Sequence, residues 1–470
     1  MKKYRLKISR QDFEELRQLV LADMPNEAAA FALAGVAEYG NQVDILVRRP
    51  VAIPKFMSLV QNEIHLEISP QAISGLAGLC EANKLGAVVC HSHPEGLHYS
   101  PSDDFGEGRL AQTLRPFIPS RVPVVSLLFT PDQVTGRIWL EGCSKPVKLD
   151  EIVVIGHYVQ RIPVGKSTGI ASISQQLYDR QVKAFGEEGQ RAISLSHVGI
   201  IGVGGTGSAV AEQLVRLGVS DFLLIDPDQF SPSNLTRVYG SQFGSVWKSF
   251  FFPQYKVNMV AKSLKKINPH ATVRALHKSV VLTDAATSLL DRDILFLCTD
   301  EHWGRSIVNQ ITYQYLIPTI NMGVRITSDN GAISHAAGCV DVLRPNEPCL
   351  WCKQSLRADR IAAESLPPEE RKLRLQEGYV EDLDSKTPSV ISFTTAVASS
   401  AVGLLLQYLT NFMGEAGKVS RINHDFLTGD ARRGTTIIDG NCICRKVKGF
   451  GDLAPIPTLA KISTNHSTVK

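Results

Sequence analysis

The sequence predicts an α/β chain in two parts, an N-terminal α+β domain followed by a doubly wound, mostly parallel sheet. Three observations lead there. At 470 residues the chain exceeds what one hydrophobic core ordinarily organises. From about Ser196 onward, short apolar strands alternate with amphipathic helices, the rhythm of parallel βαβ units. Before about residue 155 helices and strands are mixed less regularly. The expected divisions are a first domain over 1–155, a linker over 156–172, a second domain over 173–450 and a mobile tail over 451–470.

In the first domain, residues 12–21 read as a helix because Phe13, Leu16, Leu19 and Val20 share one face and Pro25 lies just beyond. Strands are expected over 31–35, 43–47, 86–90 and 124–129. Residues 161–169, with Pro163, Gly165 and Gly169, mark the linker. Beyond it, strands are expected over 196–203, 221–226 and 293–298, and helices over 208–217 and 257–264. Residues 390–409 are apolar enough to weigh as a membrane span. Ser392, Thr394, Thr395, Ser399, Ser400 and Gln407 favour a buried core helix instead.

A hydrophobic share of 44% and a charged share of 20% are ordinary for a globular protein. A net charge of +4 is too small for coating nucleic acid, so neither nucleic acid nor membrane is an expected partner. The basic start, Lys2, Lys3 and Arg5, is followed by Gln11, Asp12, Glu14 and Glu15 where a secretory apolar segment would lie. With nine cysteines, that predicts a reducing cytoplasm, where close cysteine pairs more often bind metal than form disulfides.

The run His91-Ser92-His93-Pro94, followed by Ser100-Pro101-Ser102-Asp103, has the chemistry of a metal site. Histidines at i and i+2 leaving a strand project to one side. An aspartate in the first turn of the next helix, capped by Ser100 or Ser102, supplies a third ligand. Three protein ligands leave zinc an open position for water, whose pKa the metal lowers to about 7. Glu27, between a helix and a strand, is the expected general base. A lone His-x-His pair is more often a surface loop; the added serine and acids move the balance to a hydrolase.

These residues resemble the JAMM (MPN/JAB) metalloproteases, which cleave isopeptide bonds of ubiquitin-like proteins or trim their C-termini. The resemblance implies Glu27 as general base, His91, His93 and Asp103 as ligands, and Ser100 as the hydroxyl that stabilises the oxyanion. The interval from His93 to Ser100 is one residue shorter than the common family spacing, which leaves Asp104 as the alternative ligand.

A second centre is written in Gly202-Val203-Gly204-Gly205-Thr206-Gly207-Ser208, a glycine-rich turn between strand and helix that lets backbone N–H groups approach phosphates. Asp226, ending the next strand, is placed for ribose hydroxyls, with Asp228 beside it. That much fits a dinucleotide dehydrogenase equally well. Asn234, Arg237, Lys256 and Asp300 add cations and an acid that hydride transfer does not need. Attack on an α-phosphate does need them, because charge grows there as pyrophosphate leaves.

This set resembles the ThiF/MoeB-type ubiquitin-activating superfamily over roughly 173–446, and so implies a Rossmann-like fold, ATP and magnesium. Tyr178-Asp179-Arg180-Gln181 matches the family's opening, whose arginine reaches the partner subunit's nucleotide and implies a homodimer. The match gives Asn234, Arg237 and Lys256 the phosphates, Asp226 the ribose and Asp300 the magnesium. Two thiolate pairs, Cys349 with Cys352 and Cys442 with Cys444, make a closed, structural zinc site. Thioester-forming relatives carry a cysteine in the loop before the 390–409 helix; residues 381–388 have none. Cys80, Cys90, Cys143, Cys298 and Cys339 read as strand or core residues.

The expected protein is a fusion that trims or removes a ubiquitin-like protein and adenylates its terminal carboxylate, with a conjugating enzyme as a further partner. Fusions of this kind resemble components of bacterial conjugation operons, several of them linked to antiphage defence. Two alternatives stand beside it. One is activation and processing of a sulfur-carrier protein for cofactor or cysteine synthesis. The other is an adenylating enzyme whose first domain is an inactive docking module.

Overall fold

A computed structural model describes residues 2–164, 175–367, 369–370, 373 and 388–458. The chain divides into two compact units: 1–170 with 313–316 and 446–455, and the remainder.

The first unit follows from strands that are apolar on both faces. In order it runs β1 (Lys3–Ser9), α1 (Arg10–Leu21), β2 (Ala29–Tyr39), β3 (Gln42–Ala52), β4 (Ser58–Gln61), β5 (Leu66–Ile68), α2 (Pro70–Asn83), β6 (Gly86–Ser92), α3 (Pro101–Leu114), β7 (Val124–Phe129), β8 (Val134–Trp139), β9 (Val147–Lys148), β10 (Glu151–Ile155) and β11 (Val159–Pro163). Nine of these strands form one mixed sheet, ordered β11-β10-β1-β3-β2-β6-β7-β8-β9. Successive side chains point to opposite faces. Ala30, Ala32, Val88 and Cys90 therefore pack with Phe13, Leu16 and Val20 of α1. Phe31, Leu33 and Val89 pack with Leu76 and Cys80 of α2. Ser9 caps α1 by accepting the Asp12 N–H at 3.1 Å, and Ser69 caps α2 with Pro70 as its first helical residue.

Two expected boundaries are corrected here. The linker expected over 156–172 opens as β11, antiparallel to β10, because Ile162 packs against the α1-side core; residues 165–174 lie outside the described ones. The mobile tail expected from 451, and the end of the second domain at 450, also shift. The pairing of β2 with β6 ends at Ala34, and the chain around 449–452 takes that edge of β2. The Gly35 N–H donates to the Gly449 carbonyl at 3.0 Å, and the Asp452 N–H donates to the Val36 carbonyl at 2.7 Å. Only glycine suits position 451: its φ is 55°, and a Cβ there would stand 2.1 Å from the Val36 carbonyl oxygen. Just upstream, Lys448 Nζ lies 2.6 Å from Asp12 Oδ2, both side chains buried. Residues 459–470 of that tail lie outside the described ones.

The second unit alternates as expected: α4 (Gln175–Ser194), β12 (His197–Ile201), α5 (Gly205–Leu217), β13 (Asp221–Ile225), α6 (Phe243–Ser249), α7 (Lys256–Ile267), β14 (Thr272–Leu276), α8 (Thr283–Thr287), β15 (Ile294–Leu297), α9 (His302–Gln314), β16 (Thr319–Asp329), β17 (Ala332–Leu343), α10 (Ala358–Glu364), α11 (Ile391–Thr410), β18 (Arg421–Asp425), β19 (Asp430–Gly434) and α12 (Ile443–Val447). Its sheet is ordered β14-β13-β12-β15-β16-β17-β18-β19, parallel from β14 through β16 and antiparallel beyond. The order reverses between β12 and β15. At such a switch point the carboxyl ends of the strands open a crevice, the Rossmann-like arrangement.

Helix α11 is long and apolar enough to cross a membrane, and half of its apolar window is buried. It packs on α5, β16 and β17, burying Val397, Ala401 and Leu405. Among the cysteines read as core, Cys143 is exposed, in the turn after β8.

The Asp12–Lys448 pair generates a prediction. Asp12→Asn removes the carboxylate that pairs with the buried Lys448 ammonium, and breaking a buried pair from one side costs about 3–5 kcal/mol. The first unit's thermal midpoint should fall clearly, read by near-ultraviolet circular dichroism; an unchanged midpoint contradicts the pairing.

Candidate functional site

The first centre forms where β6 runs out. Val89, His91 and His93 point to the same face, so the pleat delivers both imidazoles toward α3. Helix α3 starts with a capping box. The Ser100 hydroxyl accepts the Asp103 N–H at 3.1 Å, and Asp103 Oδ2 accepts the Ser100 N–H at 2.6 Å and the Ser100 hydroxyl at 2.8 Å. That box turns the Asp103 carboxylate back toward the histidines. His91 Nε2 lies 3.7 Å from Asp103 Oδ1, and His93 Nε2 lies 3.5 Å from Asp103 Oδ2. His91, His93 and Asp103 each offer a ligand atom, all within 4.8 Å of one another. Asp104, the alternative ligand, is turned away and paired with Arg137. The Ser100 hydroxyl, expected to face an oxyanion, is here committed to Asp103.

Glu27 is buried, with Oε1 3.5 Å from His93 Nε2. Its N–H donates to the Asn62 carbonyl at 2.9 Å, which holds the loop ahead of β2 over the site. Burial first, and the Asp103 charge with it, raises the Glu27 carboxyl above the ordinary glutamate range against the opposing pull of His93. Burial lowers His91 to about 4, keeping its imidazole neutral, the form that ligates metal. Burial pushes Asp103 up, but hydrogen bonding to His93 and Ser100 outweighs it and holds the carboxyl well below its ordinary range. His91 Nε2 is buried and makes no hydrogen bond among the described groups. A buried imidazole nitrogen facing a carboxylate and a second imidazole suits a divalent ion.

Behind the ligands lies a group the sequence reading missed. Glu107, one turn beyond Asp103 on α3, accepts from Ser126 Oγ at 2.5 Å, Arg137 Nε at 2.8 Å and Trp139 Nε1 at 3.0 Å. The i, i+4 spacing from Asp103 was its visible signal; Ser126, Arg137 and Trp139 carried none.

The second centre forms at the switch point. Gly202 has a φ of 86°, and a Cβ there would press within 2.9 Å of the Cys298 carbonyl group. A Cβ on Gly207 would stand 1.9 Å from the Gly202 carbonyl oxygen. These two glycines bend the turn and seat α5 against β12. Gly204, the N-cap of α5, has no side-chain cap, and a Cβ there would meet open space. The helix thus presents its N-terminus to an open mouth, suited to an anionic phosphate. Gly205 packs on Thr394 of α11, Thr206 meets the Cys298 thiol, and the Ser208 hydroxyl is bonded to the Gly204 carbonyl and the Tyr239 N–H. Thr206 and Ser208 therefore hold the turn from behind.

Asp226 knits the turn to β13: its two oxygens accept the N–H groups of Val203 and Asp228, each at 2.8 Å. A carboxylate keeps further lone pairs for ribose hydroxyls. Lys256, first residue of α7, extends Nζ to within 2.6 Å of Asp228 Oδ2. Asn234 is buried and accepts the Ser231 N–H at 2.9 Å, while Arg237 donates to the Ser233 carbonyl at 3.1 Å. Asp300 is exposed just past β15. Next to it, Glu301 is pushed up to about 7 by burial and by the carboxylates of Glu364, Asp300, Asp228 and Asp226. Glu301 and Glu364, which join Asp226, Asp228 and Asp300 there, are residues the sequence reading passed over.

Arg180 is not at this mouth. Tyr178 packs against Gly218, and Gln181 Nε2 reaches the Arg216 carbonyl at 3.4 Å, so this stretch of α4 lies at the far end of α5. A helix of that length separates it from the glycine turn by roughly 18 Å. The expected thioester-loop residues 381–387 lie outside the described ones.

The cysteines of the third cluster converge: Cys349 Sγ lies 3.8 Å from Cys352 and 3.4 Å from Cys442, and Cys352 lies 3.9 Å from Cys444. Thiolates around tetrahedral zinc stand about 3.8 Å apart. Hydrogen bonding from Cys444 brings the Cys349 thiol down to about 5.

The model of the ThiF family matches residues 178–444. A molybdopterin-synthase adenylyltransferase of Salmonella typhimurium is 34% identical over 184 residues, 38% of this chain and 68% of that protein. Ubiquitin-like modifier-activating enzyme 5 of Drosophila grimshawi is 26% identical over 288 residues, 57% of this chain and 64% of that one. A crystal structure of Escherichia coli MccB with MccA-N7isoASN is similar at a TM-score of 0.46 and 17% identity, covering 58% of this chain and 75% of that chain.

Two ligand groups lead to a metal count. The intact chain should carry two zinc ions, with Cys352→Ser losing one and His91→Ala the other, by inductively coupled plasma mass spectrometry. Retention of both ions in either variant contradicts the corresponding ligand set.

Proposed function

The chain belongs to the ThiF family, and from that premise we propose that its second unit adenylates the C-terminal carboxylate of a ubiquitin-like protein, using ATP and magnesium, while its first unit cleaves that protein's amide or isopeptide bonds at a zinc centre. The observation that carries the reading is the glycine turn at the head of α5, open at Gly204, with Lys256 and a group of carboxylates beside it.

In the adenylation, a carboxylate oxygen of the substrate tail attacks the α-phosphorus. The α–β phosphoanhydride bond breaks, pyrophosphate leaves, and an acyl-adenylate remains. The α5 N-terminus, Asn234, Arg237 and Lys256 stabilise the charge that grows on the phosphates. Asp300, with the acids near it, would hold magnesium. Arg180, at the far end of α5 in its own chain, serves the nucleotide of a second copy, which makes the enzyme a homodimer.

In the hydrolysis, water adds to the scissile carbonyl and the C–N bond breaks. His91, His93 and Asp103 would hold a zinc ion, which would supply Lewis acidity and lower the pKa of water. Glu27 takes the proton from water and delivers it to the leaving amine. The two reactions are chemically sequential, since only a free carboxylate can attack the α-phosphate.

The second reading, activation of a sulfur carrier, draws on the molybdopterin-synthase adenylyltransferase relative. A sulfurtransferase encoded beside this chain favours it, and a conjugating enzyme favours protein modification. The docking-module alternative is weakened by the complete set of Glu27, His91, His93 and Asp103.

Asp300→Ala should reduce ATP–pyrophosphate exchange about 10²-fold or more while sparing cleavage; retained exchange contradicts the magnesium role. Arg180→Ala should lose exchange and regain it when mixed with an Asp300→Ala chain; absence of rescue contradicts action across the dimer. Glu27→Gln should abolish cleavage and spare exchange; an unmutated chain that neither binds this second zinc nor cleaves supports the docking module.

A further inference from the structure

His91 has two ring nitrogens with two different surroundings. Nε2 faces Asp103 and the ligand cluster; Nδ1 faces Glu107, whose Oε1 lies 3.8 Å away. When one imidazole nitrogen ligates a metal, the group met by the other sets the tautomer, the ring orientation and the ligand's basicity. We propose that Glu107 is a positioning residue of the first centre: its carboxylate holds His91 as the Nδ1–H tautomer and aims Nε2 at the zinc. The inference rests on the reading of His91, His93 and Asp103 as a metal site.

The geometry favours this over a merely structural Glu107. Its helix places it one turn past Asp103, so ligand and support share a face of α3. The side chain is about nine-tenths buried and fixed by three donors: Ser126 on Oε1, and Arg137 and Trp139 on Oε2. Arg137 is itself pinned, paired with Asp104 and lying 3.6 Å over the Tyr99 ring. Oε2 is thereby saturated on the side away from the histidine. Oε1 carries one donor and keeps capacity for the His91 N–H. A small rotation of the His91 ring toward an ion at Nε2 brings Nδ1 into bonding range. This layer also accounts for Asp104, which neutralises the side of Arg137 that Glu107 does not cover.

The test uses the full chain with the four-cysteine site loaded. Zinc affinity at the histidine site is measured by chelator competition, and the same site is filled with cobalt(II) to read its visible spectrum. Glu107→Gln keeps the shape but not the charge, and should weaken zinc 10–100-fold and shift the cobalt bands. Trp139→Phe removes one hydrogen bond from Glu107 without touching its charge; it should leave affinity within about threefold and the bands in place. Should Glu107→Gln fail to fold, Glu107→Asp, which withdraws the carboxylate by one methylene, should weaken zinc about 10-fold. Parental affinity and an unmoved spectrum in the Glu107 variants overturn this inference alone. An unmutated chain that takes no ion at this site overturns the metal reading itself.

Discussion

Both candidate centres depend on one constraint, the backbone geometry at the carboxyl end of a strand that feeds a helix N-terminus. At that junction the pleat ends, side chains and N–H groups stop pairing with neighbours, and the next helix points its positive end inward. In the first unit β6 delivers His91 and His93, and the opening turn of α3 delivers Asp103. In the second, β12 delivers the glycine turn and α5 delivers the amides behind it. The sheets differ, one mixed and one largely parallel at its centre. The device is the same, and it explains why short sequence motifs mark both centres.

The two uses differ in what the helix N-terminus does. In α3 its N–H groups are occupied by the capping box, so the positive end orients the Asp103 carboxylate that the proposed metal site uses. In α5 the N-cap is a glycine without a capping side chain, so the positive end faces the open mouth. One helix start is closed upon Asp103; the other has no side-chain cap.

Legibility followed the same division. The glycine turn, the histidine pair and the cysteine pairs are local, and the residues that form each stand near one another in the sequence. The choice between Asp103 and Asp104 stayed open because spacing counts residues and ignores direction. Helix geometry separates the two by about 100°, and the cap turns Asp103 inward while Asp104 meets Arg137. What was missed is non-local. Arg137 and Trp139 meet Glu107 from a strand some 30 positions on. Glycines 449 and 451 pair with β2 across about 400 positions, where no periodicity could point. The β16–β17 hairpin is a different case: Asn330-Gly331, both at positive φ, is a strong hairpin signal that the sequence reading left unused.

The account joins two chemistries on one substrate tail, so mass is its most direct readout. The intact chain, ATP and magnesium are incubated with ubiquitin-like proteins of the same genome that carry C-terminal extensions, and the products are weighed by intact mass spectrometry. The account predicts that one of them appears shortened to a new C-terminus, and that this shortened species gains AMP only when ATP is present. AMP addition without any shortening, or neither product from any of them, would contradict it.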